Sequence, residues 1–186
     1  MTLYINCCAR EESRTDRLAK AVLQKLGGEF TELKIYEEKL RPLDEKTLNR
    51  RTALIGQGDY GDTMFDYAKQ FANADAIVIA APYWDLSFPA PLKIYIENIY
   101  VTGIVSAYGE NGMPVGLCKA KELYYVTTAG GPYDATYSYG YAESLAKNFF
   151  GIPTTHLVKA EMLDIAGNNA EEILSREISR ILESGF

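Results

Sequence analysis

Apolar and polar positions along this chain fall into runs whose period keeps changing. Leu3 to Cys8 is a short apolar run, followed by a polar turn and then by Leu18, Ala19, Val22, Leu23 and Leu26 at the spacing of one helical face. This predicts strand, loop and helix, with Gly27-Gly28 as the stop. Phe30 to Tyr36 alternates and reads as a strand near a sheet edge. Residues 37–61 are charged and weakly periodic, with a short helix predicted from Asp44 to about Ile55 before Gly56, Gly58 and Gly61. The segment is too long for a plain connector and is read as an excursion over the sheet edge.

Asp62 is placed to cap a helix carrying Met64, Phe65, Ala68, Phe71 and Ala72 on one face. Ala76 to Ala81 then runs apolar without alternation, as a strand buried on both faces does. Pro89 opens a helix with Leu92, Tyr95, Ile96 and Ile99 in phase, and glycines between short apolar stretches in 104–119 suggest a small hairpin. Leu123 to Thr128 is another strand, a loop and helix occupy about 129–150, and Thr155 to Ala160 is the fifth strand of the main sheet. The last helix begins near Asn169, with Glu172 as its capping-box partner, and carries Ile173, Leu174, Ile178, Ile181 and Leu182. Such alternation predicts an α/β fold in one domain, 1–186: a doubly wound five-stranded parallel sheet with helices on both faces and a hairpin excursion. Ligands of such sheets bind beyond the carboxyl ends of the strands.

Composition narrows the chemistry. Against 25 Asp+Glu the chain has 19 Lys+Arg, a net charge of −6, which leaves no broad basic face for nucleic acid. No apolar run approaches the ~18–20 residues of a membrane span, and the start lacks a leader pattern, so a cytoplasmic location is expected. With 3 cysteines (Cys7, Cys8 and Cys118) and 1 histidine (His156), neither a disulfide framework nor a metal site is expected. Hydroxyls, carboxylates, a thiol or a borrowed cofactor remain.

Three strand-end loops hold the candidates. In the first, Ala9-Arg10-Glu11-Glu12-Ser13-Arg14-Thr15, two hydroxyls and two guanidinium groups gather at a helix N-terminus, where free N–H groups and the dipole favour an anion such as phosphate. Ser13 is equally suited to cap that helix with the arginines solvated, and the loop alone does not separate the two readings. The second, Pro82-Tyr83-Trp84-Asp85-Leu86-Ser87-Phe88-Pro89, clusters aromatic side chains either as a wall for a flat ligand or as packing for the core end or a subunit contact. The third, Thr127-Thr128-Ala129-Gly130-Gly131-Pro132-Tyr133, offers glycines that let backbone approach a ligand or merely turn the chain. Together they describe a site for a mononucleotide with a planar head group.

On these segments, above all Ala81-Pro82-Tyr83-Trp84-Asp85-Leu86-Ser87-Phe88-Pro89-Ala90-Pro91-Leu92-Lys93 and Thr127 to Gly131, the chain resembles the flavodoxin-like NAD(P)H:quinone reductase and FMN-dependent azoreductase family. The likeness runs over most of the chain, including the Tyr108 to Gly112 hairpin region. It implies an FMN phosphate on Ser13, Arg14 and Thr15 with Arg10, an isoalloxazine ring along Pro82, Tyr83, Trp84, Asp85 and Leu86, and its pyrimidine edge or N5 region at Thr128, Ala129, Gly130 and Gly131. It also implies NADH or NADPH as hydride donor, ping-pong two-electron reduction of a quinone, azo or nitro acceptor, and a homodimer with the site at its interface. Tyr133 stands where many relatives carry histidine and is the candidate hydrogen-bond or proton donor; Asp85 stands where they carry asparagine or an aromatic residue.

A rival reading comes from Cys8 to Arg14, which satisfies Cys-x5-Arg as in low-molecular-weight tyrosine phosphatases, where a thiolate attacks phosphorus. Against it stand Glu11 and Glu12 beside a dianion, a loop without glycine, and no Asp-Pro dipeptide to supply the general acid. A non-enzymatic flavodoxin-like binding module is the third alternative.

Overall fold

A computed structural model of the chain describes residues 1–184; the expected domain runs to 186, and its last two residues lie outside the described ones. Strand β1 (Thr2–Asn6) leads into α1 (Arg14–Leu26), and β2 (Phe30–Lys34) is followed by α2 (Glu45–Gln57). A 3₁₀ turn at Thr63–Phe65 opens α3 (Asp66–Asn73), which precedes β3 (Ala76–Ala80) and α4 (Ala90–Ile99). The short strands β4 (Ser106–Tyr108) and β5 (Pro114–Gly116) come before β6 (Glu122–Thr128) and α5 (Tyr139–Leu145). A π-helical turn at Ala146–Phe150 then leads to β7 (Thr154–Ala160) and α6 (Ala170–Ser184).

The main sheet has 5 strands in the order β2-β1-β3-β6-β7, and every pairing in it is parallel. From β1 the chain steps outward to β2, then returns past β1 to β3. The connections after β1 and β3 therefore leave in opposite directions and open a crevice at the carboxyl ends of these two strands.

Side chains alternate across the sheet. Leu3 and Ile5 of β1, Ile77 and Ile79 of β3, and Leu123 and Tyr125 of β6 bury against Phe71 of α3, Leu92 and Ile96 of α4, and Phe150. Tyr4, Val78, Tyr124 and Val126 point the other way, onto Leu18 and Val22 of α1 and Leu174 and Ile181 of α6. Each fully buried Leu, Ile or Val contributes about 1.5–3 kcal/mol, so the two layers hold the strand ends, and the loops they carry, in fixed relation.

Helix ends follow local chemistry. Asp44 Oδ1 accepts from Thr47 N–H at 2.8 Å, and Asn169 Oδ1 accepts from the N–H groups of Glu171 and Glu172 at 3.1 and 3.3 Å. Glu172 returns to the Asn169 side-chain amide at 3.0 Å, a variation on the expected box. Gly27, at φ 68°, ends α1 as predicted. The helix capped by Asp62 begins as 3₁₀, because the Asp62 carboxylate bonds Met64 N–H at 2.9 Å and Phe65 N–H donates to Asp62 O at 3.1 Å. The hairpin forms a separate 2-stranded antiparallel sheet, with one isolated bridge from Ser106 to Thr102. Among the described residues no helix is long and apolar enough to cross a membrane.

Candidate functional site

A cavity of about 420 Å³ lies at the carboxyl ends of β1, β3 and β6. It brings together Arg10, Ser13, Arg14 and Thr15 from the first loop, Pro82, Tyr83 and Trp84 from the second, and Thr128, Ala129 and Gly130 from the third. Ala9, Glu12, Leu163 and Asp164 complete the lining. Asp85, Leu86, Gly131 and Tyr133 are not among the lining residues.

The first loop is both cap and cradle. Ser13 is the N-cap of α1, its Oγ accepting from Asp16 N–H at 3.4 Å, and it also lines the cavity. The N–H groups of Arg14 and Thr15, the first two of the helix, have no acceptor among the described residues, as helix geometry requires. Thr15 Oγ1 lies 2.6 Å from Thr128 Oγ1, joining the first loop to the third. Beneath them Asp16 is buried, accepting from Tyr4 Oη at 2.6 Å and Asn6 Nδ2 at 3.2 Å and pairing with Lys20 at 2.7 Å. Asn6 Oδ1 in turn accepts from Cys8 N–H at 3.0 Å, which fixes where the loop departs. Burial, then the bond to Asp16, hold the Tyr4 phenol far above its ordinary value.

The second loop is anchored where Tyr83 N–H donates to Thr128 O at 3.1 Å. Trp84 and Ser87 exchange backbone bonds at 3.1 and 2.8 Å around a tight turn with Asp85 at φ 50° and Leu86 at φ 65°. That turn sends both side chains to solvent, Leu86 being 61% exposed, which is why neither reaches the cavity. Tyr133 contacts the wall: its ring meets Tyr83 edge-on with centroids 4.8 Å apart, and its hydroxyl lies 2.8 Å from Ser138 Oγ. Lys159 Nζ sits 5.5 Å from the Tyr133 ring centroid, and burial pushes the phenol up. Ser87 Oγ donates to Tyr137 O at 2.7 Å, tying the second loop to the same segment.

The close approach that Gly130 permits is to Asp164. A Cβ on Gly130 would fall 2.5 Å from Asp164 Oδ2, whereas one on Gly131 would meet nothing within 4 Å. Asp164 N–H donates to Gly130 O at 2.8 Å, and Asp164 Oδ1 accepts from Arg14 Nη1 at 2.7 Å. The segment after β7 thus supplies a fourth wall that the sequence reading did not include. Its only sequence signal was position: Leu163 and Asp164 follow the fifth strand, and the rule that ligands lie beyond strand ends applies to that loop too.

Chemically, the cavity offers helix N–H groups, hydroxyls and two guanidinium groups at one side and aromatic faces at the other. This donor set fits a phosphate joined to a flat, partly apolar ring. Cys8 does not fit the rival reading: it is not among the residues lining the cavity, and burial pushes its thiol up, whereas a phosphate-attacking thiolate requires a lowered value.

A family model described as Flavodoxin-like fold matches residues 1–184. The chain is 37% identical to FMN-dependent NADH:quinone oxidoreductase 2 of Clostridium acetobutylicum, over 97% of this chain and 96% of that protein. It is 35% identical to the FMN-dependent NADH:quinone oxidoreductase of Clostridium beijerinckii, over 98% of this chain and 96% of that one. In three dimensions it is similar to the crystal structure of azoreductase AzrA, with a TM-score of 0.83, 25% identity and coverage of 99% and 98% of the two chains.

Proposed function

Since this chain belongs to the flavodoxin-like NAD(P)H:quinone reductase and FMN-dependent azoreductase family, we propose that it is an FMN-dependent oxidoreductase taking electrons from NADH and giving them in pairs to a quinone. The observation that carries this reading is the cavity at the sheet's switch point, where phosphate-type donors of α1 face the Tyr83–Trp84 wall. The chain is an oxidoreductase by its relatives; which acceptor it serves best, azo and nitro compounds included, is part of the proposal.

Ser13, Thr15, Arg10 and the first N–H groups of α1 would hold the phosphate, Arg14 among them once it turns from Asp164. Each charge-assisted bond so made is worth about 1.5–3 kcal/mol. Tyr83 and Trp84 would face the ring, and Thr128 with Gly130 would meet its polar edge. FMN, when bound, supplies the hydride and two-electron chemistry that the side chains lack. The protein's own part is to orient and to exclude water: the Thr15–Thr128 pair and the Tyr83 N–H bond to Thr128 hold three loops in one geometry. Tyr133 acts through Tyr83, whose ring it meets edge-on without itself lining the cavity. NADH and acceptor would use the one cavity mouth in turn, which makes the order ping-pong.

The proposal extends to a cytoplasmic homodimer. Helix α2 has no fully buried residue, and a groove between it, α4 and α5, largely apolar but with Arg51, Lys93 and Glu97 also in its lining, offers a face for a second copy. Sedimentation would show the dimer.

The test is direct. Apoprotein mixed with FMN should quench the flavin's fluorescence, and under anaerobic conditions the reconstituted protein alone should consume no more than one NADH per flavin and turn over NADH continuously only when a quinone is added. Protein that neither binds FMN nor oxidises NADH would overturn the reading.

A further inference from the structure

The four charged residues lining the cavity are Arg10, Glu12, Arg14 and Asp164, so its formal charge is zero. A phosphate monoester carries about −1.5 to −2 at neutral pH and gains little from such a balance. The imbalance is sharpest at Arg14. Its guanidinium, the natural partner of a phosphate at the start of α1, is already held by Asp164 at 2.7 Å. Asp164 is itself fixed, because its N–H is bonded to Gly130 O at 2.8 Å and its other carboxylate oxygen lies where a Gly130 Cβ would stand, 2.5 Å away. The carboxylate therefore spans the mouth from the third loop to the first. It stays two-thirds exposed, 66%, so the pair is screened and can be exchanged for a stronger anion.

We propose that Asp164 is a specificity-determining residue that competes with the ligand's phosphate for Arg14, so that the cavity holds a phosphorylated flavin as an exchanging ligand and prefers it only modestly over the uncharged flavin. This rests on the FMN reading above and adds to it a property of this chain's own residues. A phosphate entering the site must displace one carboxylate and sit near another, Glu12, and part of what Arg14 gives is spent on that exchange. The ring contributes the same to both flavins, so the competition is felt by the phosphate alone.

The experiment titrates apoprotein with FMN and with riboflavin, following flavin fluorescence, for the native chain and for Asp164→Asn. Riboflavin lacks the phosphate and reports on folding and on the ring wall. Removing the competing carboxylate should tighten FMN by about 1.4- to fivefold, the worth of one exposed ion pair, and leave riboflavin unchanged. Asp164→Ser, which removes the carboxylate and most of the side chain, should shift FMN in the same direction. FMN affinity that is unchanged or weaker in both variants overturns the proposal, as does an equal shift for the two flavins, which would mean that Asp164 acts on the ring wall. If the native chain binds neither flavin, the FMN reading itself fails and the proposal with it.

Discussion

Replacing Asp16 tests whether the phosphate-side loop is held from below. The residue is 6% exposed, and its carboxylate serves three groups: Tyr4 Oη at 2.6 Å, Asn6 Nδ2 at 3.2 Å and Lys20 Nζ at 2.7 Å. Losing the bond from the fully buried Tyr4 hydroxyl costs about 1.5–3 kcal/mol, because the acceptor is charged and the donor is left without water. The Lys20 end is exposed and contributes at most about 0.5 kcal/mol. Asn6 Nδ2 keeps Glu32 at 2.8 Å, so its share is small. Asp16→Ala should therefore cost about 2–4 kcal/mol. For a chain of this size that is a fall of roughly 5–15 °C in Tm at about 2–4 °C per kcal/mol. Asp16→Asn, which keeps an oxygen for Tyr4 but not the charge, should lose about half as much. Urea denaturation of Asp16→Ala, Tyr4→Phe and the double variant isolates the pair, with an expected coupling of about 1–2 kcal/mol. Because Asn6 also holds Cys8 N–H, Asp16→Ala should weaken FMN binding as well. Additive single effects, or an Asp16→Ala loss below about 0.5 kcal/mol, would refute the network.

Four further outcomes are expected. Burial holds the Cys8 thiol near 11, so its thiolate fraction, and with it alkylation by iodoacetamide, should stay low at neutral pH and rise only as pH climbs towards that value. Cys8→Ser should keep NADH oxidation, and loss of activity would revive a nucleophilic role. Gly116→Ala should cost about 1–3 kcal/mol in urea unfolding, because its Cβ would run into the backbone of Phe150 and Gly151; an unchanged midpoint would show that the hairpin yields freely. Tyr133→Phe should lose about 1 kcal/mol with the Ser138 bond yet retain turnover, since the hydroxyl is 2.8 Å from Ser138 Oγ and its residue lies outside the cavity lining. A collapse of kcat with normal FMN binding would make that hydroxyl the proton donor.

Much of the fold could be read in advance because its signals are local. The unbroken apolar run of β3, the face carried by Leu18, Val22 and Leu23, and the caps at Asp44 and Asn169 each involve residues a few positions apart. The first three loops were legible for a related reason: a strand-to-helix turn carries its hydroxyls and guanidinium groups in one stretch of sequence. What escaped was long-range or conformational. Nothing in the sequence announces that Leu86 and Met162 take φ 65°, a region that favours glycine, and the first of these turns the predicted ring contacts at Asp85 and Leu86 out to solvent. The π-helical turn at Ala146–Phe150 sits where Phe150 packs on Phe71 with centroids 5.0 Å apart, a demand made by another helix.

Asp164 is the sharpest case. Its partner Arg14 lies 150 positions away, and the two meet only because β7 stands next to β6 and β6 next to β3 in the sheet. Read as sequence, Gly130 suggested room for a ligand; in the folded chain it lines the cavity, and the space on the side its Cβ would take is occupied by the Asp164 carboxylate. The same glycine that lines the cavity therefore also admits the group that competes for Arg14. Of the first loop's charges, Arg10, Glu12 and Arg14 line the cavity and leave it one positive charge, which is cancelled by Asp164, a residue that no local motif could contain. Site charge in this fold is a property of strand order as much as of any one loop, and the zero balance follows only when the segment after the last strand is counted.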